Sequence, residues 1–168
     1  RRQRQMCIRD SNISLDTMDR AQYQELTGKD CLLQVMEGIR AALEQGMRVK
    51  INCVALNECN EFQWGKLAAL AKEYPLDVRF IEMMPIGCGR GYTPVPTEEV
   101  YAALVKSFGK PNAFTTPLGS GPAVYVSFPA FQGHVGFISA MTHVFCARCN
   151  RVRLTSEGFF KLCLYHDD

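Results

Sequence analysis

Arg48-Val49-Lys50-Ile51-Asn52-Cys53-Val54-Ala55-Leu56 alternates along a β-rich run, and Asp77-Val78-Arg79-Phe80-Ile81-Glu82-Met83-Met84 repeats that character. Alternation at a period of two marks a strand with two unlike faces. Between the runs, Glu61–Glu73 carries Phe62, Leu67, Leu70 and Ala71 at helical spacing, and Pro75 ends it. Upstream, Leu32, Val35, Met36, Ile39, Ala42 and Leu43 mark a helix over 31–45, with Asp30 as its cap and Gly46 as its stop. Asn12–Asp16 reads as a strand end running into a loop. Strand, helix, strand, helix, strand predicts parallel βα units, so residues 12–84 read as the back part of an α/β barrel or layered sheet.

The character changes after Pro85. Gly87, Gly89, Gly91, Pro94 and Pro96 predict a loop, and Thr97 caps a helix over 98–107. A second Gly/Pro-rich loop covers 109–122. Strands over 123–129 and 133–138 follow, then a hairpin of 151–155 with 159–164 turning at Ser156-Glu157-Gly158. Residues 97–168 therefore read as an antiparallel sheet packed at the mouth of the first part.

The 168 residues are enough for a real core, and a net charge of +2 gives no reason to expect nucleic acid as a partner. No run of about 18 apolar residues predicts a membrane span. No charged-then-apolar leader is present, so the expected compartment is the cytoplasm. Eight cysteines there are expected as thiols or metal ligands. Met6-Cys7-Ile8-Arg9-Asp10-Ser11 resembles a translated sequencing adapter, so residues 1–11 are set aside from the fold as a scar. The chain ends just beyond Cys163 and His166, which reads as a truncation.

The densest chemistry lies in Cys146-Ala147-Arg148-Cys149-Asn150-Arg151-Val152-Arg153, with Cys163 beyond the turn. A C-x-x-C turn lets two sulfurs converge on one ion. Cys163 with His166 would complete a structural Cys₃His zinc ribbon. Three thiolates could instead hold an iron–sulfur cluster with one iron open. Buried cysteines without metal are the third reading. Arg151 and Arg153 share one strand face, where paired guanidiniums suit a phosphate or a neighbouring carboxylate such as Glu157. Lys50 faces away from Val49 and Ile51, towards a possible lumen. Arg79 and Glu82 point to opposite sides, each expected in a salt bridge inside the barrel. Met83 and Met84 read first as core residues. His134 and His143 read as hydrogen-bonded loop residues, and Cys31, Cys53, Cys59 and Cys88 as buried or free thiols.

Val78-Arg79-Phe80-Ile81-Glu82-Met83-Met84-Pro85, Gly119-Ser120-Gly121-Pro122-Ala123, and Gly136-Phe137-Ile138-Ser139-Ala140-Met141-Thr142-His143 running into the cysteine–arginine stretch closely resemble the GTP 3′,8-cyclases. These are radical S-adenosylmethionine enzymes of molybdenum cofactor biosynthesis. The resemblance covers essentially all of residues 12–168. It implies the C-terminal part of an incomplete (βα)6 barrel over 12–96, then a small antiparallel sheet region over 97–168 carrying an iron–sulfur site. It implies that Cys146, Cys149 and Cys163 hold a [4Fe–4S] cluster whose open iron takes GTP. Lys50, Arg151 and Arg153 match GTP contacts, and Ser14 and Met84 match S-adenosylmethionine contacts. Implied partners are GTP and S-adenosylmethionine, with a homodimer as an open alternative, and neither nucleic acid nor a membrane. A different radical S-adenosylmethionine enzyme with an auxiliary cluster is the competing reading. The family's C-x-x-x-C-x-x-C motif for the radical-generating cluster has no counterpart in these residues, so the chain alone is expected to lack cyclase activity.

Overall fold

The computed structural model describes residues 10–119, 121–143, 149 and 152–163. Six strands form one sheet: β1 (Asp10–Ser14), β2 (Arg48–Ala55), β3 (Asp77–Glu82), β4 (Asn112–Phe114), β5 (Val124–Ser127) and β6 (Val135–Ile138). Their spatial order is β1-β2-β3-β6-β5-β4. β1, β2, β3 and β6 run parallel, while β5 and β4 continue antiparallel. Among the described residues the sheet is open, with β1 and β4 at its edges.

This corrects the expected sheet arrangement. The strands after residue 97 do not form a sheet of their own at the mouth of the first part. β6 joins the free edge of β3, pairing Val78 with Val135 and Phe80 with Phe137. An apolar strand such as β3 leaves costly unpaired peptide groups unless both edges are covered. Among the described residues only β7 (Arg153–Leu154) and β8 (Phe160–Lys161) stand as a separate antiparallel pair. Their turn closes through Thr155 N–H on the Phe159 carbonyl, with Gly158 at φ +88°. Asp10 and Ser11, set aside with the first eleven residues, belong to β1 and pair with Arg48 and Val49.

The helices are α1 (Arg20–Thr27), α2 (Leu32–Glu44), the single turn α3 (Asn57–Asn60), α4 (Trp64–Glu73) and α5 (Thr97–Phe108). α1 is absent from the sequence expectation. It is only eight residues long, and its start signal is the Asp19 carboxylate accepting from Gln22 N–H. Asp30 does not cap α2; it forms two 2.7 Å bonds to Arg20 instead. Thr97 likewise makes no side-chain cap for α5, because its hydroxyl faces Glu82 and Ser139. Phe62 is 84 % exposed, not inward-facing. It lies in a 3-10 turn over Glu61–Gln63, whose tighter winding breaks the phase expected from α4.

One sheet face is apolar. Val49, Ile51, Cys53, Ala55, Val78, Phe80, Val135 and Phe137 alternate onto it and pack with buried residues of α2, α4 and α5. The other face carries Asn12, Lys50, Asn52, Arg79 and Tyr125, placed side by side by the registers Asn12↔Lys50, Asn52↔Arg79, Arg79↔Gly136 and Gly136↔Tyr125. Helices cover one face; the second is polar.

Candidate functional site

A cavity of about 400 Å³ lies against this polar face, lined by Asp10, Asn12, Lys50, Arg79, Tyr125 and the loop over 115–121. Lys50 is only 5 % exposed. A buried ammonium needs acceptors. It finds the Leu118 carbonyl at 2.7 Å and the Asp10 carboxylate at 3.2 Å. The sequence expectation that Lys50 faces away from Val49 and Ile51 holds.

Arg79 also lies on this face, opposite in sense to Glu82 as alternation requires. Its partners are not a carboxylate but two amides. Nε donates to the Asn52 side-chain oxygen at 2.8 Å, and a terminal nitrogen donates to that of Asn12. Two neutral acceptors orient the guanidinium without cancelling its charge. Tyr125 stands beside it. Burial pushes the Tyr125 phenol up from its ordinary value, and the Arg79 cation pulls it partly back. The phenol fits there because residue 136 is glycine: a Cβ at that position would meet the Tyr125 ring at 2.7 Å. Asn12, Asn52 and Tyr125 were not singled out from the sequence. The signal available was parity for Asn52 and Tyr125, which alternate with apolar neighbours on their strands, whereas Asn12 follows Ser11 in a largely polar strand.

Ser14 ends β1, and Met84 lies two residues beyond β3. Both lie towards the carboxyl edge of the sheet, two strands apart, but the registers Ser14↔Asn52 and Asn52↔Arg79 put Met84 five residues, about 16 Å, further along the strand direction than Ser14. That edge is where ligands of parallel sheets bind. β6 runs parallel to β3, so the segment after Ile138 leaves from this same edge.

Glu82, at the end of β3, holds that segment. It is 2 % exposed on the helix-covered side. The expected salt bridge is replaced by hydrogen bonds. One carboxylate oxygen accepts from Thr97 N–H at 3.0 Å and from the Thr142 hydroxyl; the other accepts from Met141 N–H at 2.7 Å and Thr142 N–H at 2.9 Å. Burial pushes the carboxyl up, but these donors outweigh it and hold it below its ordinary value. Sequence reasoning missed this role, since nothing local to Glu82 names donors 59 and 60 residues away.

Cys146, Arg151 and His166 lie outside the described residues. Cys149 is exposed and Cys163 half-buried, and neither is in a disulfide. The register Arg153↔Lys161 sends the chain stretches bearing Cys149 and Cys163 out of the same end of the hairpin. Thiols are the donor class that iron–sulfur clusters take, so by donor chemistry these residues fit such a group, although among the described residues no three His, Cys, Asp or Glu side chains are grouped to hold a metal. Arg153 is exposed, on the hairpin face opposite Leu154 and Phe160. No hydrogen bond or ion pair among the described residues joins it to Lys50 or to Glu157. His134 bonds Asp77 at 3.0 Å and His143 bonds Glu98 at 2.6 Å, as the hydrogen-bonded reading of both expects. Cys53 is buried and Cys31 half-buried, both free. No helix among the described residues is long and apolar enough to cross a membrane.

Residues 76–168 match the family model described as Molybdenum Cofactor Synthesis C. The chain is 42 % identical over 154 residues to a GTP 3′,8-cyclase of Clostridium perfringens (strain 13 / Type A), covering 92 % of this chain and 48 % of that protein. It is 40 % identical over 159 residues to the GTP 3′,8-cyclase of Moorella thermoacetica, covering 93 % and 49 %. It is 40 % identical over 164 residues to that of Bradyrhizobium diazoefficiens, covering 96 % and 47 %. The chain spans about half the length of the curated relatives it matches. With the model matching over more than half of its residues, the chain belongs to the Molybdenum Cofactor Synthesis C family.

Proposed function

We propose that this chain is the substrate-binding part of a GTP 3′,8-cyclase of molybdenum cofactor biosynthesis, a radical S-adenosylmethionine enzyme. The observation that carries the reading is the polar sheet face. Lys50 and Arg79 lie there in one cavity, in a chain whose sequence also carries Cys149, Arg153 and Cys163. In this reading the open sheet is the C-terminal part of an incomplete (βα)6 barrel, and its polar face lines the lumen. Residues 97–168 form the cluster- and GTP-binding region.

Cys146, Cys149 and Cys163 would hold a [4Fe–4S] cluster, which when bound supplies one iron not ligated by cysteine. Lys50, Arg151 and Arg153 would bind GTP, with the guanidiniums on triphosphate oxygens, where their planar forks suit paired acceptors. Ser14 and Met84, at the carboxyl edge, would contact S-adenosylmethionine. The overall reaction joins C3′ of the ribose to C8 of guanine within one GTP molecule. This chain's share is to bind and orient that molecule. The cysteine motif for generating the radical has no counterpart here, so the chain alone would bind substrate without turning it over.

The test is an equilibrium titration with GTP on anaerobically reconstituted protein. A charge-assisted hydrogen bond contributes about 1.5–3 kcal/mol, so Lys50→Met and Arg153→Met should each weaken binding by about tenfold or more. GTP affinity unchanged in both variants would overturn the assignment.

A further inference from the structure

We infer that Glu82 is a positioning residue for the cysteine-bearing segment that follows β6. The inference rests on the proposed role of the cysteines as ligands and adds a residue to which that role is not assigned. Val78 and Phe80, its neighbours on the same sheet face, are fully buried apolar residues. A carboxylate among them is costly unless it is satisfied. Glu82 is satisfied from two directions at once. Thr97, at the first turn of the twelve-residue helix α5, donates its N–H to one oxygen. Met141 and Thr142 donate theirs to the other, and the Thr142 hydroxyl returns to the first.

A bond between the Thr97 and Ser139 hydroxyls at 2.6 Å closes the cluster. One side chain thus joins the end of β3, the start of α5 and the exit from β6. Thr142 stands seven residues before Cys149, and Glu82 stands two before Met84. Fixing Met141 and Thr142 to the end of β3 sets where the cysteine segment begins relative to the carboxyl edge. Every bond reaching this carboxylate comes from a donor. An amide in its place keeps one acceptor oxygen but turns an NH₂ group towards the donors on the other side, so Glu82→Gln breaks one half of the clamp while keeping the size.

The test uses Co²⁺ as the probe on the reduced chain, because cobalt reports thiolate ligation by a charge-transfer band independently of catalysis. Partners that orient metal ligands are worth about 10–100-fold in affinity. Glu82→Gln should raise the Co²⁺ dissociation constant by that order, with cooperative unfolding retained. Thr142→Val removes one donor and should raise it by less. A band of unchanged affinity in a folded Glu82→Gln variant overturns the inference and leaves the cysteines as ligands. If Glu82→Gln does not fold, unchanged affinity in Thr142→Val overturns it. No thiolate band in the wild-type chain overturns the ligand reading and this inference with it.

Discussion

The Lys50 ammonium donates to the Leu118 carbonyl at 2.7 Å, bridging 68 residues between the third residue of β2 and the loop that precedes β5. This bond ties a Gly/Pro-rich loop down over the polar sheet face. Gly119 lies immediately beside it, at φ +130°, where a Cβ would sit 3.5 Å from the ammonium. Lys50→Met keeps the bulk of the side chain and removes the donor. Limited proteolysis within residues 115–121 should become several-fold faster in the variant, with cleavage elsewhere unchanged. Equal cleavage rates would show that the loop is held by other contacts.

Two glycines make close approaches of different kinds. A Cβ at Gly133 would lie 1.8 Å from the Leu76 carbonyl oxygen, and one at Gly136 would lie 2.7 Å from the Tyr125 ring. Backbone cannot yield without dragging the sheet, whereas a ring at the cavity wall can turn. Overpacking typically costs about 1–3 kcal/mol. Gly136→Ala should fall inside that range and Gly133→Ala at or above its upper end. Urea unfolding of both variants checks the order.

Stability should fall at both ends of the pH range, for opposite reasons. Glu82 is held below its ordinary value, so its contribution is complete above the unfolded carboxyl value of about 4.3 and is lost as pH falls through the folded one. Burial, reinforced by the nearby Asp16 carboxylate, pushes the Cys53 thiol well up. Its contribution is complete below the unfolded thiol value of about 8.5 and is lost as pH rises beyond it. Cys53→Ala should flatten the alkaline limb of a stability–pH curve and leave the acid limb in place. An alkaline limb unaltered by Cys53→Ala would contradict this.

Phe62 and Trp64 are two residues apart and should behave unlike one another. Trp64 is buried and its indole N–H donates to the Asn60 side chain at 2.9 Å. Truncating a buried aromatic costs about 3–5 kcal/mol, and Trp64→Ala should lie in that range. Phe62→Ala should change stability by no more than about 0.5 kcal/mol, as exposed sites do. Thermal unfolding followed by circular dichroism distinguishes them.

The parallel strands and α2 and α4 were legible because apolar residues recur at periods of two and 3.6 over lengths that admit one reading. The alternation of Lys50 against Val49 and Ile51 correctly placed its ammonium on the polar face. What escaped is what depends on distant partners. The merger of β6 with β3 is a choice of edge that no local pattern encodes. Asp30 and Thr97 have the right chemistry for helix caps, but Arg20 and Glu82 compete for them and win. The carboxylate clamp of Glu82 needs donors contributed by the start of α5 and by the segment after β6. The short helix α1 lacks the apolar repeat that marked the others, because it buries only Tyr23.

The central claim is that the cysteines hold an iron–sulfur cluster that meets GTP. Anaerobic reconstitution with ferrous iron and sulfide, followed by electron paramagnetic resonance with and without GTP, tests it most directly. The expected result is about four irons per chain, a thiolate-to-iron absorption band and a cluster spectrum that shifts when GTP is added. Stoichiometric zinc without sulfide, or a cluster spectrum indifferent to GTP, would contradict the account.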